Sequence, residues 1–289
     1  MDTASRTRPH IAAPGLIRTT DGVDLFYRDW GSGRPVLFVG GWSLPSDAWC
    51  YQMTALCRSG LRTIAFDRRG HGRSSDPGRG YDFDTLADDL AAIIDALDLR
   101  DVTLVGHSMG CNEIVRYLAR HGCARVRGAA LLGTMTPFLP RTDDNPDGID
   151  PALFACFRED ELLMDFPQWI DDNMVPFVPA HTPPGMRDWL RRMALASSLH
   201  ALYECNLALT TTDFRADLAK IDVPVLVIAG DADASAPLAL TAEPTVRLLP
   251  RARLIVYPYA PHGMFISHMA RVNADLLEFV DSLAAQSAS

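Results

Sequence analysis

Two kinds of hydrophobic pattern alternate along the chain. Residues 35–40, 61–66, 102–105, 126–132, 224–229 and 253–257 are short, nearly unbroken apolar runs. A run with no polar face reads as a strand buried on both sides of a sheet. Between these runs, apolar residues recur every three or four positions. Leu86, Leu90, Ile93, Ile94 and Leu97 form one such stripe and predict a helix over roughly 82–98. Residues 47–59 read as a second helix. Ile114, Val115 and Leu118 mark a third, and Val272, Leu276, Phe279, Val280 and Leu283 mark a closing one. Near the start, residues 15–20 and 23–27 flank Asp21-Gly22, a two-residue hairpin signal. Strands and helices alternating at this spacing predict a mostly parallel sheet with helices on both faces.

The alternation stops at Pro137. Residues 137–212 are dense in proline and hold no strand of the parallel-sheet kind. Large apolar residues cluster there instead, among them Phe157, Phe166, Trp169, Phe177, Trp189 and Met193. The expectation is a helical cap inserted over the end of the sheet, with the core formed by residues 15–136 and 213–289. Most of these apolar residues should pack inside it, with Trp169, Phe177 and Met193 as candidates to face a substrate. Residues 1–14 read as a flexible leader and 284–289 as a frayed end.

Composition narrows the function classes. The 289 residues are 48% apolar and 22% charged, ordinary for a soluble globular protein. A net charge of −9 argues against an electrostatic nucleic-acid surface. No run approaches the ~18 apolar residues of a membrane span, and no apolar segment follows the first ten residues as a secretory signal would require. The six cysteines show neither CxxC pairing nor metal-ligand spacing. These features predict a cytoplasmic protein with free thiols and no nucleic-acid or membrane partner. The basic residues are arginine except for Lys220, a skew that points to a GC-rich coding background rather than to function. Asp143, Asn145, Asp147 and Gly148 open like a calcium loop, but the twelfth position, where a bidentate Glu is needed, is Phe154. That stretch is therefore read as a polar loop, and no metal or cofactor is expected.

The chemistry gathers where predicted strands end. The run 102–105 leads into Gly106-His107-Ser108-Met109-Gly110 and then into a helix. A serine at the tip of a sharp strand-to-helix turn needs small neighbours on both sides, and the strain lifts its hydroxyl into a cleft. The helix that follows leaves the Met109 amide free to meet a developing negative charge. Gly40-Gly41-Trp42, after another strand, offers a second amide at Trp42 and an indole for a pocket wall. Residues 67–75 form a Gly-rich loop without a Walker lysine or a directly following helix, so it is not a phosphate cradle. Asp67 and Arg69 are expected to shape that loop, and His71 to lie at its surface.

Two later strand ends carry an acid and a base. Asp231 and Asp233 compete as the carboxylate, and Asp233 is favoured because it lies further from the strand end. His262 competes with His268, placed within the closing helix, and with His107, which should point away from the turn. A serine hydroxyl becomes a competent nucleophile only when a base takes its proton, and imidazole does so near neutral pH. A carboxylate behind the ring fixes its tautomer and stabilises the transient imidazolium. Ser108, Asp233 and His262 are accordingly the candidate triad.

Taken together, residues 66–75, 80–85, 104–110, 142–148, 230–233 and 260–263 resemble the α/β-hydrolase family from about residue 20 onward, and most of all its bacterial cofactor-free haloperoxidases and related esterases. The resemblance implies an α/β fold with an eight-stranded, mostly parallel sheet and a helical cap. It places the triad on Ser108, Asp233 and His262 and the oxyanion amides on Trp42 and Met109. Two positions depart from the pattern. Gly40-Gly41 stands where the family usually has His-Gly. Ser43 stands where haloperoxidase-like members have a proline associated with peracid formation. Cys111-Asn112-Glu113, in the helix after the nucleophile, also differs.

The expected activity is hydrolysis of a small carboxylic ester or lactone through an acyl-enzyme. Perhydrolysis, or cleavage of a C–C or amide bond on the same triad, is the alternative chemistry. A non-catalytic receptor for small apolar molecules is the alternative class. A serine nucleophile argues against haloalkane dehalogenase and epoxide hydrolase chemistry, which use aspartate there. Substrate identity and oligomeric state are left open by the sequence.

Overall fold

The computed structural model describes residues 15–285, so the expected leader and residues 286–289 lie outside the described residues. The strands are β1 (Gly15–Arg18), β2 (Asp24–Trp30), β3 (Pro35–Val39), β4 (Arg62–Phe66), β5 (Val102–His107), β6 (Val126–Leu132), β7 (Val225–Gly230) and β8 (Ala252–Tyr257). They form one eight-stranded sheet in the order β1-β2-β4-β3-β5-β6-β7-β8. The β1–β2 and β2–β4 pairs are antiparallel and the remaining pairs are parallel. β5 lies near the middle of this order, so the end of that strand opens among neighbours on both sides.

The first helices are α1 (Cys50–Arg58), α2 (Phe83–Ala96) and α3 (Met109–His121). The helix expected over 47–59 divides, with a 3-10 turn at Ser46–Trp49 ahead of α1. α2 starts where Asp82 accepts a hydrogen bond from the Thr85 amide at 2.9 Å, satisfying one of the free N–H groups of its first turn. Between β6 and β7 come α4 (Pro151–Cys156), a π-helical turn (Phe157–Leu162), α5 (Leu163–Phe177), α6 (Pro184–Leu195), α7 (Leu199–Leu209) and α8 (Arg215–Leu218). The chain closes with α9 (Ala242–Leu248), α10 (Met264–Ser267) and α11 (Met269–Ala285). Two boundaries differ from expectation. Residues 284 and 285 belong to α11 because Leu283 beside them is anchored in the core, and His268 sits in the break between α10 and α11.

The side-chain alternation of β3 shows how the layers form. Leu37 and Val39 enter one apolar cluster, shared with Leu86 and Leu90 of α2 and Ile114 of α3. Val36 and Phe38 enter another, shared with Met53 of α1 and Leu276 of α11. A strand buried on both faces needs no polar alternation, which is why these runs read as unbroken. A third, smaller cluster joins Leu162, Phe166, Ile170, Ala194 and Leu202 within the helical segment between β6 and β7. Asp165 interrupts α5 with φ −155° and ψ 73°, two residues before Pro167. No described helix is long and apolar enough to cross a membrane.

Candidate active site

β5 ends at His107, and the next residue, Ser108, has φ +53° and ψ −123° before α3 begins at Met109. Non-glycine residues rarely adopt that conformation, and here it is held by packing on both sides. A Cβ on Gly110 would fall 2.4 Å from the Val39 carbonyl oxygen, and one on Gly106 would fall 2.8 Å from the Cys111 nitrogen. Gly110 therefore has to be glycine for α3 to close against β3, and Gly106 for the turn to close on the start of α3. The Ser108 amide donates to the Leu132 carbonyl at 2.9 Å, tying the turn to β6.

Asp233 and His262, which follow the neighbouring strands β7 and β8, lie side by side. His262 Nδ1 lies 2.7 Å from Asp233 Oδ2. The other carboxylate oxygen of Asp233 accepts from the amides of Ser235 at 2.9 Å and Ala236 at 2.7 Å. Gly133 follows β6 beside this pair, and a Cβ there would stand 3.2 Å from His262 Nδ1. Both side chains are almost fully buried. Asp231 is exposed and accepts instead from the Tyr259 amide, at 2.5 Å.

His71 and His107 depart from expectation. His71 is buried rather than superficial, because the loop 67–75 folds inward around it. Its Nδ1 lies 3.0 Å from the Arg69 carbonyl, and burial together with the nearby Arg68 cation pushes its pKa down to about 3. His107 does not point away from the site. Its ring packs 4.7 Å from that of His262, and its Nε2 is 3.0 Å from the His262 carbonyl oxygen, to which it donates. Burial, with His262 beside it, holds the His107 pKa well below the usual histidine value, so it stays neutral. His268 lies outside this cluster, with Nδ1 2.9 Å from the Ser267 hydroxyl.

Asp67 and Arg69 do shape their loop. Asp67 accepts from the amides of Ser46 at 2.6 Å and Arg73 at 2.8 Å, and Arg69 pairs with Asp89 at 2.6 Å and Asp21 at 3.0 Å. Arg68 was not singled out by the sequence. Its buried guanidinium contacts Glu113 of α3 and the carbonyls of Gly40 and Gly41. In the loop 142–148, the Asn145 side chain donates to the Pro140 carbonyl at 2.7 Å.

Ser108 and His262 open on one cavity of about 360 Å³ between the strand ends and the helices α4 to α7. Trp42, Phe157, Trp169 and Phe177 give it an aromatic wall. Met193 does not line it and is buried in the cluster shared with β3 and α11. Trp42 is pinned by its indole N–H, which donates to the Leu202 carbonyl at 2.9 Å, and it meets Trp169 edge-on at 5.5 Å. Among the described residues the N–H groups of Trp42 and Met109 have no acceptor within the protein. Asn173, Asn206, Ser43 and Ser235 are the polar residues of the wall apart from Ser108 and the two histidines.

A mostly parallel sheet with this strand order, a serine on a strained elbow and a carboxylate–imidazole pair at neighbouring strand ends defines an enzyme of the α/β-hydrolase class. The family described as alpha/beta hydrolase fold matches residues 34–269, and the chain belongs to it. It is 43% identical over 273 residues, 92% of this chain and 99% of the relative, to a non-heme haloperoxidase of Rhodococcus erythropolis. A bifunctional esterase/perhydrolase of Acinetobacter calcoaceticus is 36% identical, covering 93% of this chain and 100% of that one. Among solved structures, an esterase from Exiguobacterium antarcticum superposes with a TM-score of 0.89 at 30% identity, over 93% of this chain and 100% of that one.

Proposed function

We propose that the protein is a serine hydrolase that cleaves small, uncharged carboxylic esters or lactones through an acyl-enzyme on Ser108. The observation that carries this reading is the 2.7 Å His262–Asp233 contact beside a strained serine that opens on the same cavity. In this mechanism His262 accepts the Ser108 proton as the hydroxyl oxygen attacks the substrate carbonyl. The Trp42 and Met109 amides hold the oxyanion of the tetrahedral intermediate. His262 returns the proton to the leaving alkoxide and then draws a proton from water, whose oxygen attacks the acyl carbon; as the acyl carbon–Oγ bond breaks, His262 gives that proton to Ser108 Oγ and the carboxylic acid is released. Residues 137–212 act as the cap that encloses the substrate.

The preference for an uncharged substrate comes from the wall. None of its residues carries a carboxylate, ammonium or guanidinium group, and an unpaired charge in an apolar cavity is costly. The test is turnover of p-nitrophenyl esters by wild type and Ser108→Ala, with covalent capture by a serine-directed phosphonate. Loss of roughly 10⁴-fold in kcat, together with loss of labelling, is expected for the variant. An active Ser108→Ala protein rules the mechanism out, and a wild type that binds esters without turning them over makes the receptor reading the better one.

Perhydrolysis is the second reading, favoured by the names of the haloperoxidase and esterase/perhydrolase relatives. It uses the same acyl-enzyme with peroxide as the acceptor. Halide oxidation that requires both peroxide and acetate distinguishes it from simple hydrolysis.

A further inference from the structure

We infer that Arg68 and Glu113 are positioning residues that set the spacing of the two oxyanion amides, an inference that rests on the hydrolase reading above. Arg68 is 3% exposed and Glu113 0%. The guanidinium spends its donors on three groups. Nη2 donates to the Gly40 carbonyl at 2.6 Å, Nη1 to the Gly41 carbonyl at 3.2 Å, and Nε to Glu113 Oε1 at 2.6 Å.

The Gly41 carbonyl belongs to the same peptide plane as the Trp42 N–H. In a trans peptide these two groups point in opposite directions. A cation held on the oxygen therefore fixes the N–H pointing the opposite way within the same plane and polarises it, making it a stronger donor. Glu113 lies four residues along α3 from Met109, the residue that supplies the other amide. One ion pair thus joins the loop that carries the first donor to the helix that carries the second. Gly110 makes the junction tight from the other side, since a Cβ there would be 2.7 Å from the Gly40 oxygen.

A purely stabilising role explains this pair less well. Burying two charges costs more than packing apolar side chains of the same size, and Glu113 Oε2 is left without a partner. That cost is understandable if the geometry of the Gly41–Trp42 peptide is what the pair secures. Two of the three places where the sequence departs from the family pattern, Gly40-Gly41 and Cys111-Asn112-Glu113, are the two ends that Arg68 connects.

The test uses the full-length protein with p-nitrophenyl butyrate and the matching thionoester. Sulfur in place of the carbonyl oxygen is a poor acceptor, so an intact oxyanion hole favours the oxoester. Arg68→Met, Arg68→Lys and Glu113→Gln are expected to lower kcat on the oxoester by roughly 10- to 100-fold, with KM changed by less than about 3-fold, and to narrow the oxo-to-thiono ratio by about 10-fold. Arg68→Lys should recover part of the loss, because an ammonium can keep one of the two carbonyl contacts. A variant that misfolds is replaced by the milder ones, and the ratio in any soluble variant decides. An unchanged ratio in a variant that still hydrolyses ester overturns the brace and leaves the hydrolase reading standing. A wild-type protein without Ser108-dependent turnover overturns both.

Discussion

The imidazole of His262 and the carboxylate of Asp233 meet through Nδ1 and Oδ2 at 2.7 Å, while the second Asp233 oxygen is already committed to two backbone amides. That division of labour fixes what an amide would do at the same position. In Asp233→Asn, the side-chain oxygen has to face the Ser235 and Ala236 N–H groups, which leaves its NH₂ against His262 Nδ1. The ring must then carry its proton on Nε2, where it cannot accept one from Ser108. The expected loss is about 10⁴-fold in kcat with the melting temperature close to wild type. Asp231→Asn, at an exposed position, should stay within about 3-fold, in keeping with the small effects of surface changes. Ester kinetics on the two variants check the assignment, and equal losses in both would refute it.

The turn at Ser108 predicts a steric intolerance. A Cβ at Gly110 would meet the Val39 oxygen at 2.4 Å and the Gly40 oxygen at 2.7 Å, both of them backbone atoms with no flexible end to move. Gly110→Ala must push α3 away from β3, carrying the Met109 amide with it. Overpacking of this kind costs about 1–3 kcal/mol. Thermal unfolding should therefore show a melting point lower by several degrees, and ester turnover should fall further than stability alone explains. Gly185→Ala, where a Cβ meets nothing within 4 Å, is the control.

Much of this was legible in the sequence because the core strands are buried on both faces and announce themselves as apolar runs. The placement of Ser108, Asp233 and His262 at strand ends was readable for a related reason, since each lies within five residues of the end of such a run. What the sequence concealed depends on long-range contact. His71 looks like a surface residue in a Gly-rich polar loop, yet the loop folds inward and buries it. Arg68 and Glu113 are 45 residues apart, and nothing local marks them as partners. The wall of the cavity is set by how α4 to α7 pack, so Trp169 and Phe177 could be separated from Met193 only in three dimensions. Nothing local marks Gly133, although a side chain there would crowd His262 and Asp233.

Ser43 gives a third prediction. Its φ of +65° lies in the left-handed region, whereas a proline ring holds φ near −65°. The proline that the resemblance implies at this position could not take up the angle that Ser43 holds. Ser43→Pro forces residues 41–44 onto another path and moves the Trp42 amide with them. Ester hydrolysis is expected to fall by roughly 10-fold or more, since small displacements of positioned groups are costly. Parallel assays of ester and peracid formation check this, and wild-type ester turnover in the variant would show that the loop conformation does not matter.

The buried histidines predict how stability responds to acid. His71 titrates near 6.5 when unfolded, but burial and the Arg68 cation push it down to about 3 in the folded protein. Between those values the unfolded chain binds a proton that the folded chain refuses, so the contribution is intact above about pH 6.5 and is lost as pH falls toward 3. His107, also held low by burial, acts in the same direction. Glu113 acts in the opposite one. Burial pushes its carboxyl up from 4.5 to about 7 despite the guanidinium against it, so its contribution falls as pH rises through that window. The two effects separate by comparison at each pH. His71→Asn keeps a donor for the Arg69 carbonyl and removes the titration, and its melting temperature should decline less steeply than that of wild type between pH 6.5 and 3. Glu113→Gln should instead steepen the net decline on acidification, because it removes the opposing term. Parallel slopes for wild type and His71→Asn would mean that His71 takes up its proton in the folded state as readily as in the unfolded one.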